Sequence, residues 1–130
     1  ERLEIEKNSQ LRGQYFQWMS FLSSSLQPDV LIIFHPEFYF ADQERQNLLM
    51  EAARIRMHKT LSVIEKALIK GPYFFGNKLT VVDFCLAMQT VWPEVLTKEG
   101  NNFPNIRRHL KSMLCLESVK NVLEVHKNFK

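Results

Sequence analysis

The sequence has few of the residues that signal disulfides, tight turns or membrane spans. Its 130 residues include two cysteines, four glycines and five prolines. Cys85 and Cys115 form neither a CxxC pair nor a disulfide framework, which predicts a reducing compartment, the cytoplasm. Both lie in apolar helical contexts and are predicted to be buried and inert. The longest strongly apolar run, Val30 to Phe34, is far too short for a membrane span of ~20 residues. The charged opening, Glu1 to Lys7, predicts no signal peptide.

Metal and nucleic-acid sites are also poorly supported by the sequence. The four histidines lie far apart without ligand spacing, which predicts isolated surface or packing histidines and no metal site: His35, His58, His109 and His126. The net charge of +3 comes from 17 basic and 14 acidic side chains, and the basic residues are scattered along the chain. Solvated helix faces are therefore favoured over a nucleic-acid patch.

Apolar residues recur at helical spacing, and no window alternates like a strand, so the sequence predicts a single all-α domain over residues 1–130, with about five helices. One stripe defines a first long helix: Leu11, Tyr15, Trp18, Leu22 and Leu26. We predict that Pro28 and Asp29 end this helix. Gly13 inside it predicts a close helix contact.

The middle of the chain predicts a connection and a second long helix. The segment Val30–Ala41, with four aromatic residues, is expected to be an ordered and largely buried connection. Asp42 is the predicted N-cap of the helix, and Gly71-Pro72 its predicted stop. Its inward stripe is Leu49, Ala53, Met57, Leu61, Ile64 and Leu68.

Three more helices are predicted after a short aromatic loop, Tyr73 to Asn77. The third begins near Thr80 and is kinked or weakened at Pro93; its predicted stripe is Val81, Cys85, Met88 and Trp92. The fourth runs from Pro104 to about Leu114, and the fifth from about Glu117 to Val125. The fourth directs three apolar residues inward: Ile106, Leu110 and Met113.

Asp83 lies inside one of the most apolar runs of the chain, where an ionised carboxylate needs a partner. Thr80 and Asp83 fit the capping-box pattern, in which each side chain bonds the backbone N–H of the other residue. Leu79 and Phe84 can add a hydrophobic staple. Asp83 as a catalytic acid or base is the alternative, but no second carboxylate or histidine is close in sequence. We therefore predict a structural role for Asp83.

The loop and helix "PYFFGNKLTVVDFCLA" resemble the C-terminal domain of the glutathione S-transferase family, in which a capping box and staple open the sixth helix of the full-length protein. The segment "YFQWMSFLSSSLQPDV" is similar to the fourth helix of bacterial transferases. The segment "FHPEFYFADQERQNLLMEAARIRMHKTLSVIEKAL" is similar to their fourth-to-fifth helix passage. Trp92 falls where beta-type enzymes often carry a tryptophan. The resemblance covers about residues 8–126.

The resemblance implies an all-helical bundle that packs behind a thioredoxin-like N-terminal domain, with residues 1–7 as the lead-in from that domain. The missing domain would bind most of the co-substrate glutathione and supply the catalytic Ser, Tyr or Cys, so this chain alone is expected to be inactive. The helical domain would line the pocket for a hydrophobic electrophile and form much of a homodimer interface. The implied pocket residues, which could equally be plain core, are Tyr15, Trp18, Met19, Leu22, Gln27, Met88 and Trp92.

Two functions stay open. The chain is either the substrate-binding half of a transferase or a non-catalytic protein–protein interaction module, because the same fold occurs in translation and stress-response complexes and fold does not decide function. Gln27 stands where beta-type enzymes often carry a histidine, and glutamine can donate a hydrogen bond but cannot titrate near neutral pH. This departure favours the interaction module, whereas the bacterial character of the helices favours the transferase.

Overall fold

Regular structure in residues 3–92 and 102–127, the part of the chain described by the computed structural model, is entirely helical. The α-helices are α1 (Arg12–Phe21), α2 (Gln27–Phe34), α3 (Gln43–Ala67), α4 (Val81–Thr90), α5 (Pro104–Leu114) and α6 (Glu117–Lys127). Within these residues, strand-like pairing is limited to two isolated bridges in the loop before α4. The predicted all-α fold is confirmed.

Helices α1 and α2 form one continuous helical stretch, because a π-helical segment, Leu22–Leu26, joins them. The N–H of Gln27 donates to the carbonyl of Leu22, five residues back. The prediction that Pro28 and Asp29 end the first helix is therefore wrong. A proline ring normally clashes with the carbonyl four residues before it. The wider π turn relieves that clash by placing Pro28 in the first turn of a new α-helical segment.

A buried acid ties α2 to α3. Asp29 is 3% exposed, and its Oδ1 accepts hydrogen bonds from Arg56 Nη2 at 2.6 Å and Nε at 3.0 Å. An aspartate in this position needs such a partner, because an unpaired buried carboxylate is costly.

The connection between α2 and α3 is shorter and more exposed than the sequence predicts. Residues 30–34 belong to α2, and a 3₁₀ turn, Pro36–Phe38, follows. The aromatic side chains of this connection are largely in solvent: Phe38 is 69% exposed, Tyr39 47% and Phe40 39%. The predicted buried connection over Val30–Ala41 is therefore wrong. Its buried residues, Ile32 and Ile33, belong to the continued helix α2, and the aromatic residues after that helix are exposed.

Helix α3 follows its sequence pattern. The Asp42 side chain accepts from the N–H of Arg45 at 3.0 Å, so the predicted N-cap is confirmed. A 3₁₀ turn, Leu68–Lys70, ends the helical region before Gly71, as predicted. The predicted stripe is buried except for Leu49, which is partly buried: Ala53, Met57, Leu61, Ile64 and Leu68.

Helix α4 turns a different face inward from the one predicted. Met88 and Trp92 are 58% and 39% exposed, whereas Val82 and Leu86 are fully buried. The prediction that Met88 and Trp92 lie on the buried stripe is wrong, because this helix is apolar on nearly every side and periodicity alone does not select a face. The helix ends at Thr90, and the predicted effect of Pro93 lies outside the described residues.

The last two helices match their predicted positions closely. In α5, Ile106 and Met113 are fully buried, and Leu110 packs partly buried against the core. The carboxylate of Glu65 on α3 accepts from the N–H groups of Asn105 at 2.8 Å and Ile106 at 2.9 Å. These N–H groups are helix-terminal donors without intrahelical partners, so Glu65 fixes where α5 begins.

The segment before α1 is part of the folded structure. Ile5 is 2% exposed and belongs to the hydrophobic core. The carbonyl of Leu3 accepts from the N–H of Val81, the first residue of α4, at 2.9 Å. Among the described residues, no atom outside the immediate helical neighbours of Gly13 lies within 4 Å of where a Cβ would be, so the predicted close helix contact at this glycine is wrong.

Candidate functional site

The candidate site is an apolar wall formed where α1 lies beside α4. Tyr15 is buried, while Trp18 and Met19 are partly buried at helical spacing along α1. The Cys85 thiol on α4 points at the Met19 thioether, with 4.0 Å between the two sulfur atoms. Aromatic and thioether side chains offer an adaptable apolar surface. The four residues named here include no Lys, Arg, Asp or Glu.

The aromatic loop before α4 packs against the same part of α1. The Phe74 ring lies 4.8 Å from the Trp18 ring, and the Phe75 ring lies 6.4 Å from the Tyr15 ring, measured between centroids. The loop is closed by reciprocal backbone hydrogen bonds between Tyr73 and Gly76, both 3.2 Å. The loop therefore supports the wall from one side.

Asp83 holds this loop to the start of α4. Thr80 and Asp83 form the predicted capping box, and Asp83 Oδ2 accepts from the Thr80 N–H at 2.8 Å and from its hydroxyl at 2.9 Å. The other oxygen, Oδ1, accepts from the Phe74 N–H at 3.0 Å. Leu79 and Phe84, the predicted staple residues, are each partly buried.

A histidine that sequence reasoning left isolated completes the Asp83 cluster. His109 Nε2 lies 3.3 Å from Asp83 Oδ1, and both side chains are fully buried. The ring nitrogen Nδ1 of His109 is also buried, and no group in the described part of the chain forms a hydrogen bond with it. Since α5 is fixed by Glu65, and Arg108 donates to the Gly71 carbonyl at 2.9 Å, the position of His109 is set by contacts on both sides of it.

The position of His109 in the sequence could have predicted that this residue is buried and paired. It lies three residues after Ile106 and four before Met113, on the same inward stripe. A histidine on a buried stripe needs a polar partner. Asp83 was the one buried acid already identified, so the two could have been paired.

The remaining predicted site residues are spread over different surroundings. Leu22 is 1% exposed in the core, whereas Gln27 is exposed at the first residue of α2. Met88 is largely in solvent on α4. The Trp92 ring packs against Phe34 of α2, with 5.4 Å between centroids. The structure thus brings together Tyr15, Trp18 and Met19, whereas Gln27 and Met88 are exposed and Trp92 packs against Phe34.

The two cysteines differ, although both were predicted to be buried and inert. Cys115 is exposed, so that prediction is wrong for it, while Cys85 is partly buried. Burial raises the pKa of the Cys85 thiol above its ordinary value, and the nearby charge of Asp83 raises that pKa further. The thiolate is the reactive form, so a raised pKa lowers reactivity at neutral pH.

We therefore expect a disulfide reagent to label Cys115 faster than Cys85. The measurement compares Cys115→Ser, which leaves Cys85, with Cys85→Ser, which leaves Cys115. Labelling of Cys85 should be slower at neutral pH and should go on accelerating as the pH rises above the ordinary thiol range. Both variants should react completely when unfolded, and equal rates in the folded proteins would contradict the burial of Cys85.

The described residues contain neither a group arranged for a metal ion nor a helix that could span a membrane. In residues 3–92 and 102–127, no group of three or more His, Cys, Asp or Glu side chains is arranged to hold a metal ion. Across the same ranges, no helix combines the length and apolarity needed to cross a membrane.

The capped loop, the long α3 and the wall beside α4 belong to an all-helical domain. Residues 24–117 match the family described as glutathione S-transferase, C-terminal domain. Because that match covers most of the sequence, the chain belongs to this family.

Solved structures with the same fold include three bacterial proteins. BphK, a bacterial glutathione S-transferase solved as a ternary complex, has a TM-score of 0.79 and 24% identity, over 95% of this chain and 58% of that one. A glutathione transferase homolog from Sulfitobacter, with bound glutathione, has a TM-score of 0.77 and 18% identity, over 94% of this chain and 59% of that one. A glutathione S-transferase from Actinobacillus pleuropneumoniae has a TM-score of 0.70 and 19% identity, over 95% of this chain and 54% of that one. At these identities the likeness shows the fold.

A curated relative belongs to a different class of protein. The valine–tRNA ligase of Takifugu rubripes is 23% identical over 86 residues, which are 66% of this chain and 7% of the ligase. The chain therefore spans little more than half of the transferases that it resembles and a small part of the ligase.

Proposed function

We propose that this chain is the substrate-binding and dimerisation domain of a cytoplasmic glutathione S-transferase-like protein. The observation that carries the proposal is the apolar wall of Tyr15, Trp18 and Met19 beside Cys85, supported by an aromatic loop. Such a wall can hold a hydrophobic electrophile in place while a thiolate attacks it. Family membership supports this assignment of the wall.

Conjugation requires a second domain in this proposal. A thioredoxin-like domain would hold glutathione and lower the pKa of its thiol, since the described wall of Tyr15, Trp18, Met19 and Cys85 includes no cationic side chain for that task. The 130-residue chain is therefore catalytically silent when it stands alone. This division of labour fits the share of the solved transferases that the chain covers, 54–59% of their length.

The dimerising part of the proposal is supported by the outer surface of α3. Leu48, Ile55 and Val63 are 69%, 53% and 47% exposed, and their spacing keeps them on one side of the helix. Exposed apolar residues on one helix face are typical of a protein interface. A second copy of this chain would cover them in a symmetric pair.

The test measures conjugation of glutathione to chlorodinitrobenzene by the protein as its gene encodes it, and by this chain alone. Trp18→Ala in the encoded protein should raise the KM for the electrophile by about tenfold, the factor that 1.4 kcal/mol of lost contact represents. The KM for glutathione should stay unchanged. Val122→Ala, at an exposed position of α6, is the matched control. Turnover by the isolated chain would refute the division of labour.

An interaction module is the second candidate, favoured by the match to the valine–tRNA ligase and by the glutamine at position 27. In this case the wall would contact another protein, and no conjugation would occur in any context. The coding sequence before Glu1 separates the two candidates. A thioredoxin-like domain with Ser or Cys at its first βα turn supports the transferase, and its absence removes that candidate.

A further inference from the structure

The apolar wall is connected to the buried Asp83–His109 pair by one aromatic side chain. The Phe74 N–H donates to Asp83 Oδ1 at 3.0 Å, the oxygen that also faces His109 Nε2 at 3.3 Å. The Phe74 ring meets the His109 ring edge-on, with 6.3 Å between centroids, and packs on Trp18 at 4.8 Å. A continuous chain of contacts therefore runs from His109 to the wall.

We propose that His109 is a positioning residue for the substrate wall. Its hydrogen bond to Asp83 and its ring contact with Phe74 hold the aromatic loop in one place, and this loop in turn fixes the Trp18 indole. The consequence for ligand binding rests on the proposed function. The positioning of Trp18 rests on the described contacts alone.

Stability alone is a poor explanation for a histidine at this position. Its buried Nδ1 has no hydrogen-bond partner among residues 3–92 and 102–127, and a buried polar atom that lacks one is costly. An apolar ring would fill the same space without that cost, because α5 buries apolar residues on either side of it. What an apolar ring cannot supply is the Nε2–H, which donates to a carboxylate that only accepts.

The Nε2–H of His109 matters because the other donors to Asp83 are few: the Thr80 N–H and hydroxyl on Oδ2, and the Phe74 N–H on Oδ1. Oδ2 is engaged twice by Thr80, and Oδ1 has the Phe74 N–H and His109. Without His109, Oδ1 relies on the loop N–H alone in a fully buried place. The carboxylate and the loop are then free to shift together, and Phe74 moves with them against Trp18.

The experiment uses Trp18 as its own reporter. The chain has two tryptophans, so Trp92→Phe leaves Trp18 as the single emitter. In this background, His109→Phe keeps a ring but removes the donor, His109→Gln keeps a donor without the ring, and His126→Phe, at an exposed position, is the control. Circular dichroism and chemical unfolding select the variants that are folded.

We expect His109→Phe to move Trp18 emission to longer wavelength and to increase its quenching by acrylamide. His109→Gln should give a smaller change of the same kind, because it keeps a donor but loses the ring contact with Phe74, and His126→Phe should match the parent. No change in a folded His109→Phe overturns the proposal. An equal change in His109→Gln overturns the role of the hydrogen bond to Asp83. Phe74→Leu, which leaves the buried pair intact, must give the same emission shift; if His109→Phe does not fold, an unchanged spectrum in Phe74→Leu overturns the proposal.

A second readout separates this inference from the proposed function. Anilinonaphthalene sulfonate, an apolar dye, should bind the wall and receive energy from Trp18. His109→Phe should weaken its binding by about fivefold, which corresponds to ~1 kcal/mol at 1.4 kcal/mol per factor of ten. If Trp18 emission responds to His109 but the dye receives no energy from Trp18, the positioning stands and the wall as a ligand site fails.

Discussion

Asp83→Ala is expected to destabilise the domain by about 3–5 kcal/mol, because three buried donors lose their acceptor and each costs about 1–3 kcal/mol when it is left unsatisfied. The substitution leaves the Phe74 N–H, the Thr80 N–H and His109 Nε2 without their acceptor. Each is a buried donor, and each unsatisfied donor adds its own desolvation penalty. Denaturant unfolding followed by circular dichroism measures the loss.

A matched control for Asp83→Ala exists in the same chain. Asp42 is also an N-cap, but it is exposed and accepts one hydrogen bond, from the Arg45 N–H. Asp42→Ala should therefore cost about 1 kcal/mol, the typical value for a lost cap. If the two substitutions have equal effects, Asp83 acts only as a cap and the buried cluster contributes nothing further.

Gly71→Ala is expected to destabilise the domain by about 1–3 kcal/mol or more, as overpacking does in a tight site. A Cβ at this position would lie 2.6 Å from the Gly76 carbonyl oxygen and 2.8 Å from its Cα. These are backbone atoms of the closed loop, so they cannot rotate away as a side chain would. The loop has to open, which should also change Trp18 emission in the Trp92→Phe background.

Two other glycines provide the comparison for Gly71→Ala. Gly13 has open space around it inside α1, so Gly13→Ala should stabilise the domain by roughly 1 kcal/mol. Gly76 also has open space but a φ of +70°, so Gly76→Ala should cost about 1–2 kcal/mol through backbone strain alone. A Gly71→Ala variant as stable as its parent would show that the loop yields more easily than its backbone contacts imply.

The sequence predicts the fold better than the site because the helices depend on residues close together in the sequence, whereas the site depends on residues far apart in it. Helix α3 and the capping box are local: the Asp42 cap, the apolar stripe and the Thr80–Asp83 pattern lie within a few residues of one another. The pairing of Asp83 with His109 spans 26 positions and depends on how α5 packs against α4. Local patterns mark each of the two as a buried polar residue, but they do not give the helix packing that brings the pair together.

The other differences have equally physical causes. The π-helical segment lets the helix continue through Pro28, where proline usually ends a helix. The serines within this segment form no pattern that predicts the wider turn. On α4, Met88 and Val82 are both apolar, so hydropathy could not decide which of them faces solvent. The exposure of Phe38 and Tyr39 follows from that longer first helical stretch.

The anchoring of residues 3–5 has a consequence for where this domain can be cut. The match to the family covers residues 24–117, yet the carbonyl of Leu3 satisfies the first N–H of α4, and Ile5 fills the core. A fragment trimmed to residues 24–117 would lose both, along with α1 and three of the four wall residues: Tyr15, Trp18 and Met19. The folded domain therefore begins before the segment that matches the family. A protein limited to that segment would lack most of the candidate site.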